Sequence, residues 1–180
     1  MRFQRQLVNF LLFQSSWFGT ILLAKSNIAF LPAFALAAIH MLFVSKNKKL
    51  ELRLILRVAA LGIILDQTMS FAHIYRFNAD IPLHWPPLIP VWLASMWFAF
   101  ATTLLHSLAW ASKPNIPTPI LFAFAGPATY MVGSAFGILH FRDPQWLTWA
   151  VHAVAWGFVG YKTKAWVNHP YGRRSDLHQA

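Results

Sequence analysis

The charges in this chain are bunched, and the stretches between the bunches constrain the fold more than any other feature. The intervals Gln6–Ala24, Ser26–Ser45, Val58–Tyr75, Ile81–Ser112, Pro114–Phe141 and Pro144–Tyr161 contain no Lys, Arg, Asp or Glu apart from Asp66. Each runs for at least 18 residues, and about 20 apolar residues wound as a helix cross a hydrocarbon layer of about 30 Å. Period-2 alternation is absent, and only helices or closed barrels satisfy their backbone in lipid. The expectation is an all-α membrane protein, a bundle of six transmembrane helices. The helices are expected over about 7–24, 28–45, 53–75, 88–111, 118–140 and 145–161, in one integral membrane domain spanning 1–180. Residues 162–180 are expected to form a basic cytoplasmic tail.

Composition agrees, with 57% hydrophobic and 11% charged residues where a soluble domain carries about 25% charged. A net charge of +10 raises nucleic acid as a partner, so the placement of the charges has to decide. With six spans, Arg2, Arg5, Lys46, Lys48, Lys49, Arg53, Arg57, Lys113, Lys162, Lys164, Arg173 and Arg174 share one face; Lys25, Arg76 and Arg142 fall on the other. Twelve against three is a positive-inside pattern that puts both termini in the cytoplasm. It explains the charge through membrane lipids as partners, without nucleic acid.

Arg2 and Arg5 precede an apolar run, as in a signal peptide, but Asn9, Gln14, Ser15 and Ser16 interrupt it and no small-x-small site precedes Lys25. It reads as a retained first helix. There is no cysteine, which excludes disulfides, thiolate nucleophiles and Cys-ligated metals.

Proline marks the boundaries. Pro32, Pro119 and Pro144 stand near expected helix starts, where a missing N–H costs little. "DIPLHWPPLIP", 80–90, is too rich in proline for a helix and is expected to lie at the far interface with His84 and Trp85. In "FAGPATYMVGSAFG" Pro127 falls mid-span, and Gly133 and Gly137 form a small-xxx-small pair suited to close helix contact. "SSWF" (15–18) and "SMWF" (95–98) recur in antiparallel helices, a weak sign of an inverted repeat.

At about 1.5 Å per residue, Asp66 lies roughly 20 Å beyond Arg53, and Tyr130 roughly 18 Å beyond Thr118. The two are level, so Tyr130 is the first candidate partner of Asp66. Ser70 and His73 follow Asp66 at i+4 and i+7, on one face. Two roles stay open for Asp66: protonated interhelical glue, or a group that titrates in function. Nearer the cytoplasm, His106, Thr102 and Arg57 lie at similar depth; Gln14, His40 and His152 come within about two turns of them, and Glu51 sits just outside. They are expected to line a polar pocket. The candidate catalytic residues are His106, Glu51 and Asp66; the polar binding set is Asp66, Arg57, His106, Tyr130 and His152. No G-x-S-x-G, H-E-x-x-H or phosphate loop occurs. A metal site from His40, His106 and His152 has no spacing signature, so neither metal nor cofactor is expected.

The stretches "ELRLIL", "GIILDQ", "PVWLASMWFAFATTLLHSL" and "AGPATYMVGSAFG" together resemble the bacterial inner-membrane proteins of domain of unknown function 2878. The resemblance carries onto Glu51, Arg53, Asp66, His106, Gly126, Pro127 and Tyr130. It implies a multi-pass inner-membrane protein without an assigned reaction. It also implies an association with enzymes that modify membrane fatty acids, either as an enzyme or as an accessory to one. Two alternatives stand beside that: a small proton- or ion-coupled transporter using Asp66, and a structural membrane subunit.

Overall fold

The computed structural model describes residues 2–175. Within them the chain is all-α apart from a two-stranded ribbon, with six α-helices: α1 (Arg2–Leu22), α2 (Leu31–Ile39), α3 (Lys48–Phe71), α4 (Val91–Ala101), α5 (Thr118–Ala135) and α6 (Gln145–Ser175). By length and composition α3 is apolar enough to cross a membrane, and α2 with its extension and α4 are shorter apolar helices.

Loop contacts show how the helices alternate. Lys25, after α1, pairs with Asp80, after α3, at 2.9 Å. Strand β1 (Tyr75–Phe77), after α3, pairs antiparallel with β2 (Leu139–Phe141), after α5. The starts of α1 and α3 meet the ends of α2 and α4 at the other end: His40 bonds Glu51, and Gln6 reaches the His106 carbonyl. Successive helices therefore run up and down, and the basic loops gather at the second end.

Several helices end earlier than their apolar runs. α3 stops at Phe71 rather than 75, because the His73 and Ile74 amides bond back to Ser70 and Met69 at 3.0 Å each. This is the Schellman closure, with His73 left-handed at φ 54°. His73 therefore caps the helix and does not extend the Asp66 face. α5 closes the same way, at Ala135 rather than 140: Gly137 (φ 61°) and Ile138 bond back to Ser134 and Gly133 at 2.9 and 3.0 Å. Gly137 is thus a turn residue, not half of a helix-contact pair.

α4 covers only part of the run 88–111. Thr102 and Thr103 turn their hydroxyls back to the carbonyls of Ala99 and Phe100, at 2.7 and 2.6 Å, and such back-bonding competes with the helical ladder. Turns follow, then a short 3₁₀ segment at Ala109–Ser112. α2 passes at His40 into one π-helical turn, His40–Val44, closed by the Ser45 amide on the His40 carbonyl at 2.9 Å. α6 continues well past 161, so most of the expected tail is helical to Ser175; 176–180 lie outside the described residues.

Close packing centres on glycines. A Cβ on Gly62 (α3) would lie 1.9 Å from the Trp97 ring, and one on Gly126 (α5) 2.0 Å from the Trp156 ring. Trp97 and Trp156 stack on each other, centroids 4.8 Å apart and 23° from parallel. Two indoles from α4 and α6 are thus clamped between bare patches on α3 and α5. Gly126, rather than Gly133, supplies the small-residue contact of α5. The "DIPLHWPPLIP" connection folds back on α3, where Gln67 and Ser70 bond the Pro87 carbonyl at 3.0 and 2.7 Å.

Candidate functional site

Asp66 is completely buried, four residues after Gly62 and so on the same face of α3. Four elements converge on it. Trp97 of α4 donates its indole N–H to Oδ2 at 2.7 Å. Tyr130 of α5 donates to Oδ1 at 2.5 Å. Tyr75 donates to Oδ1 at 3.1 Å and lies equally close to the Asp66 carbonyl. Tyr75 reaches inward because β1 alternates: Tyr75 and Phe77 are buried and Arg76 faces out. From α6, His152 packs at a tilt beside both phenols, its ring 4.7 Å from that of Tyr130 and 5.3 Å from that of Tyr75.

Hydrogen-bonding chemistry restricts what this centre can do. An indole N–H only donates, so Oδ2 must accept. Oδ1 faces two hydroxyls, each able to donate or accept. An ionised Asp66 takes all three donors. A protonated one places its proton on Oδ1, with Tyr75 turning its own proton to the Asp66 carbonyl. Among the described residues no cation bonds to Asp66. His152 donates from Nδ1 to the Thr148 carbonyl at 2.9 Å, leaving buried Nε2 without a partner among the described residues.

Beside this centre lies a partly open cavity of about 510 Å³. Its lining includes Phe13, Gln14 and Trp17 of α1, Met96, Trp97 and Phe100 of α4, and Ala125, Thr129 and Tyr130 of α5. Two of the three side chains that bond Asp66 are therefore also cavity wall. The size suits a drug-sized or acyl group, since ligand cavities run to about 300–1,000 Å³ with mostly apolar linings.

A second centre lies at the basic end. Glu51, in the first turn of α3, is buried, and its Oε2 accepts from His40 Nε2 at 2.8 Å and His106 Nε2 at 3.2 Å. The two imidazoles meet edge to face, centroids 4.6 Å apart. Asn9 of α1 ties the group together. Its Oδ1 accepts from the Ser107 amide and hydroxyl at 3.2 and 2.6 Å, and its Nδ2 reaches the Thr102 carbonyl at 3.3 Å and His40 Nδ1 at 3.4 Å.

The structure joins Asp66 to Tyr130, the pair matched by depth, and adds Tyr75 and Trp97, which depth did not single out. His40, His106 and Glu51 come together. His152 does not join them and sits with the tyrosines instead. Arg57 is exposed and makes no polar contact with either centre. Asn9 reads in the sequence only as an interruption of an apolar run, yet it is fully buried; an amide within such a run is the one signal that marks it. No curated protein and no solved structure matches the chain. A family model does match, over residues 6–160, and the chain belongs to that family, described as protein of unknown function (DUF2878).

Proposed function

We propose that this is a multi-pass inner-membrane protein that holds an acyl chain, or a similarly long apolar group, in the aromatic cavity beside Asp66. In this reading all six helices lie across the bilayer with both termini cytoplasmic. The protein then serves membrane-lipid modification, as an enzyme or as the accessory of one. The observation that carries the reading is the cavity itself, walled by indole, phenyl and phenol rings and sharing Trp97 and Tyr130 with the Asp66 centre.

Outward-facing side chains support the membrane setting. Phe43 is 81% exposed, Val154 75% and Phe124 74%, so large apolar side chains on three separate elements face out of the bundle, as a lipid-facing surface allows. The segregation of basic loops to one end of the up-and-down bundle supports the orientation. The enclosure of Asp66 favours an anchoring role over ion transport, since both of its oxygens are occupied by donors from neighbouring elements.

Two experiments test the reading. Reporter fusions after Lys49, after Lys113 and at the C-terminus should report cytoplasm, and fusions near Asp80 and Arg142 the opposite side. Tryptophan emission should be quenched by a doxyl-labelled fatty acid in purified protein, and Ala125→Trp, which fills the cavity, should abolish saturable quenching. Quenching that is unsaturable and unchanged by Ala125→Trp defeats the acyl-chain reading; a cytoplasmic signal near Asp80 or Arg142 defeats the six-span one.

A further inference from the structure

We propose that His40, Glu51 and His106 form a binding site for a first-row divalent transition metal, a two-histidine, one-carboxylate set with a coordination position left open. The inference is independent of the acyl-chain reading. One donor atom from each residue falls in a group whose members all lie within 4.8 Å of one another. Two of the three pairwise contacts are 2.8 and 3.2 Å, close to the spacing of neighbouring ligands around a metal bonded at about 2.0–2.2 Å.

The backbone supplies a second, independent observation. The three residues come from separate elements, and the helix is irregular at both histidines. His40 begins the single π-helical turn of the described residues, a feature found frequently at functional sites. His106 follows the break in α4, within the turns held by Thr102 and Thr103. A regular fourth helix would have carried His106 along its axis instead of turning it onto Glu51.

Donor chemistry selects the class of metal. Two imidazole nitrogens and one carboxylate suit zinc or ferrous iron, whereas magnesium and calcium demand mostly oxygen. Among the described residues the group contains three ligands. His106 is its most accessible member, with 17% of its side chain exposed, so an open position would lie on that side.

Binding requires protons to move. Ionised Glu51 only accepts, so each histidine now presents Nε2–H to it. Coordination through Nε2 shifts that proton to Nδ1, with no net release from a neutral imidazole. On His40, Nδ1 then faces the Asn9 amide nitrogen, a donor, across a contact of 3.4 Å. That contact is long and its loss small beside a coordinate bond, and Asn9 keeps its bonds to Thr102 and Ser107. Asn9→Asp would present an acceptor in its place and create a carboxylate–histidine–metal relay.

The test uses the full-length protein in detergent, stripped with chelator and titrated by calorimetry with Zn²⁺, with Fe²⁺ under anaerobic conditions, and with Mg²⁺. The expected result is one equivalent of zinc or iron per chain and no saturable magnesium uptake. His106→Ala, with its metal-free melting temperature measured alongside to confirm that it is folded, should bind at least about tenfold more weakly, and Asn9→Asp about tenfold more tightly. Absence of stoichiometric uptake by the wild type overturns the proposal. Uptake that is undiminished in a His40→Ala/His106→Ala variant overturns it equally, because the metal would then be held elsewhere.

Discussion

Trp97 lies against Gly62 and donates its indole N–H to Asp66, so one side chain of α4 reads two positions a turn apart on α3. The ring needs the missing Cβ and the N–H needs an acceptor at position 66. Asp66→Asn should therefore be tolerated. Its amide oxygen can take the Oδ2 place opposite Trp97, leaving the NH₂ to donate to the tyrosines. Asp66→Leu strips Trp97 and Tyr130 of their acceptor, while Tyr75 keeps the backbone carbonyl of residue 66, and should destabilise the protein by about 0.6–2 kcal/mol per interhelical bond lost. Thermal unfolding in detergent checks the order: wild type close to Asn, and both well above Leu. A Leu variant as stable as wild type would show that the centre is not an anchor.

Gly62→Ala and Gly126→Ala should each destabilise the bundle. Alanine favours a helix over glycine by about 1 kcal/mol, but the added methyl would fall inside the space of Trp97 or Trp156, and overpacking costs about 1–3 kcal/mol. Gly157→Ala is the control, because its nearest neighbour would be 3.5 Å away, an ordinary contact. It should be neutral or stabilising in the same unfolding measurement.

The two left-handed helix ends should respond with opposite sign. Gly137→Ala places a Cβ at φ 61° and should cost about 1–2 kcal/mol. His73→Gly removes one at φ 54° and should recover up to a similar amount, less the greater freedom of glycine in the unfolded chain. Chemical denaturation of the two variants distinguishes them.

The Lys25–Asp80 pair should make stability depend on acid. The hydrogen bond from Lys25 holds the Asp80 carboxyl below its usual range. Its contribution is therefore present in full above the ordinary aspartate value of about 4 and fades as pH falls through the lowered value. Both side chains are more than half exposed, so the effect should be small and weakened by salt. Comparing Asp80→Asn with wild type by thermal unfolding should show a difference at pH 7 that disappears in strong acid.

The matching levels of Asp66 and Tyr130 were legible in the sequence, because a helix advances by a fixed rise per residue. Asp66 and Tyr130 come out level by counting alone, and they bond. Charge-free runs likewise located six helical segments, and the basic clusters marked the end of the bundle where Glu51, His40 and His106 meet. Rotation about each helix axis was not legible, since an apolar run looks alike on every face. Which residues face one another was decided by contacts distant in sequence: bare glycine patches that admit Trp97 and Trp156, and a ribbon whose alternation turns Tyr75 inward. His152 shows where counting itself failed: placed within about two turns of His106, it lies instead level with Tyr130 and Tyr75, because a count from each helix end does not fix how far one helix is shifted along another. Early helix ends at His73, Thr102 and Gly137 also escaped hydropathy, because left-handed caps and hydroxyl back-bonds stop a helix without interrupting its apolar character. Sequence alone thus determined the helical segments and the level at which Asp66 meets Tyr130, and tertiary packing decided the azimuths and the offsets between helices, and with them both candidate sites.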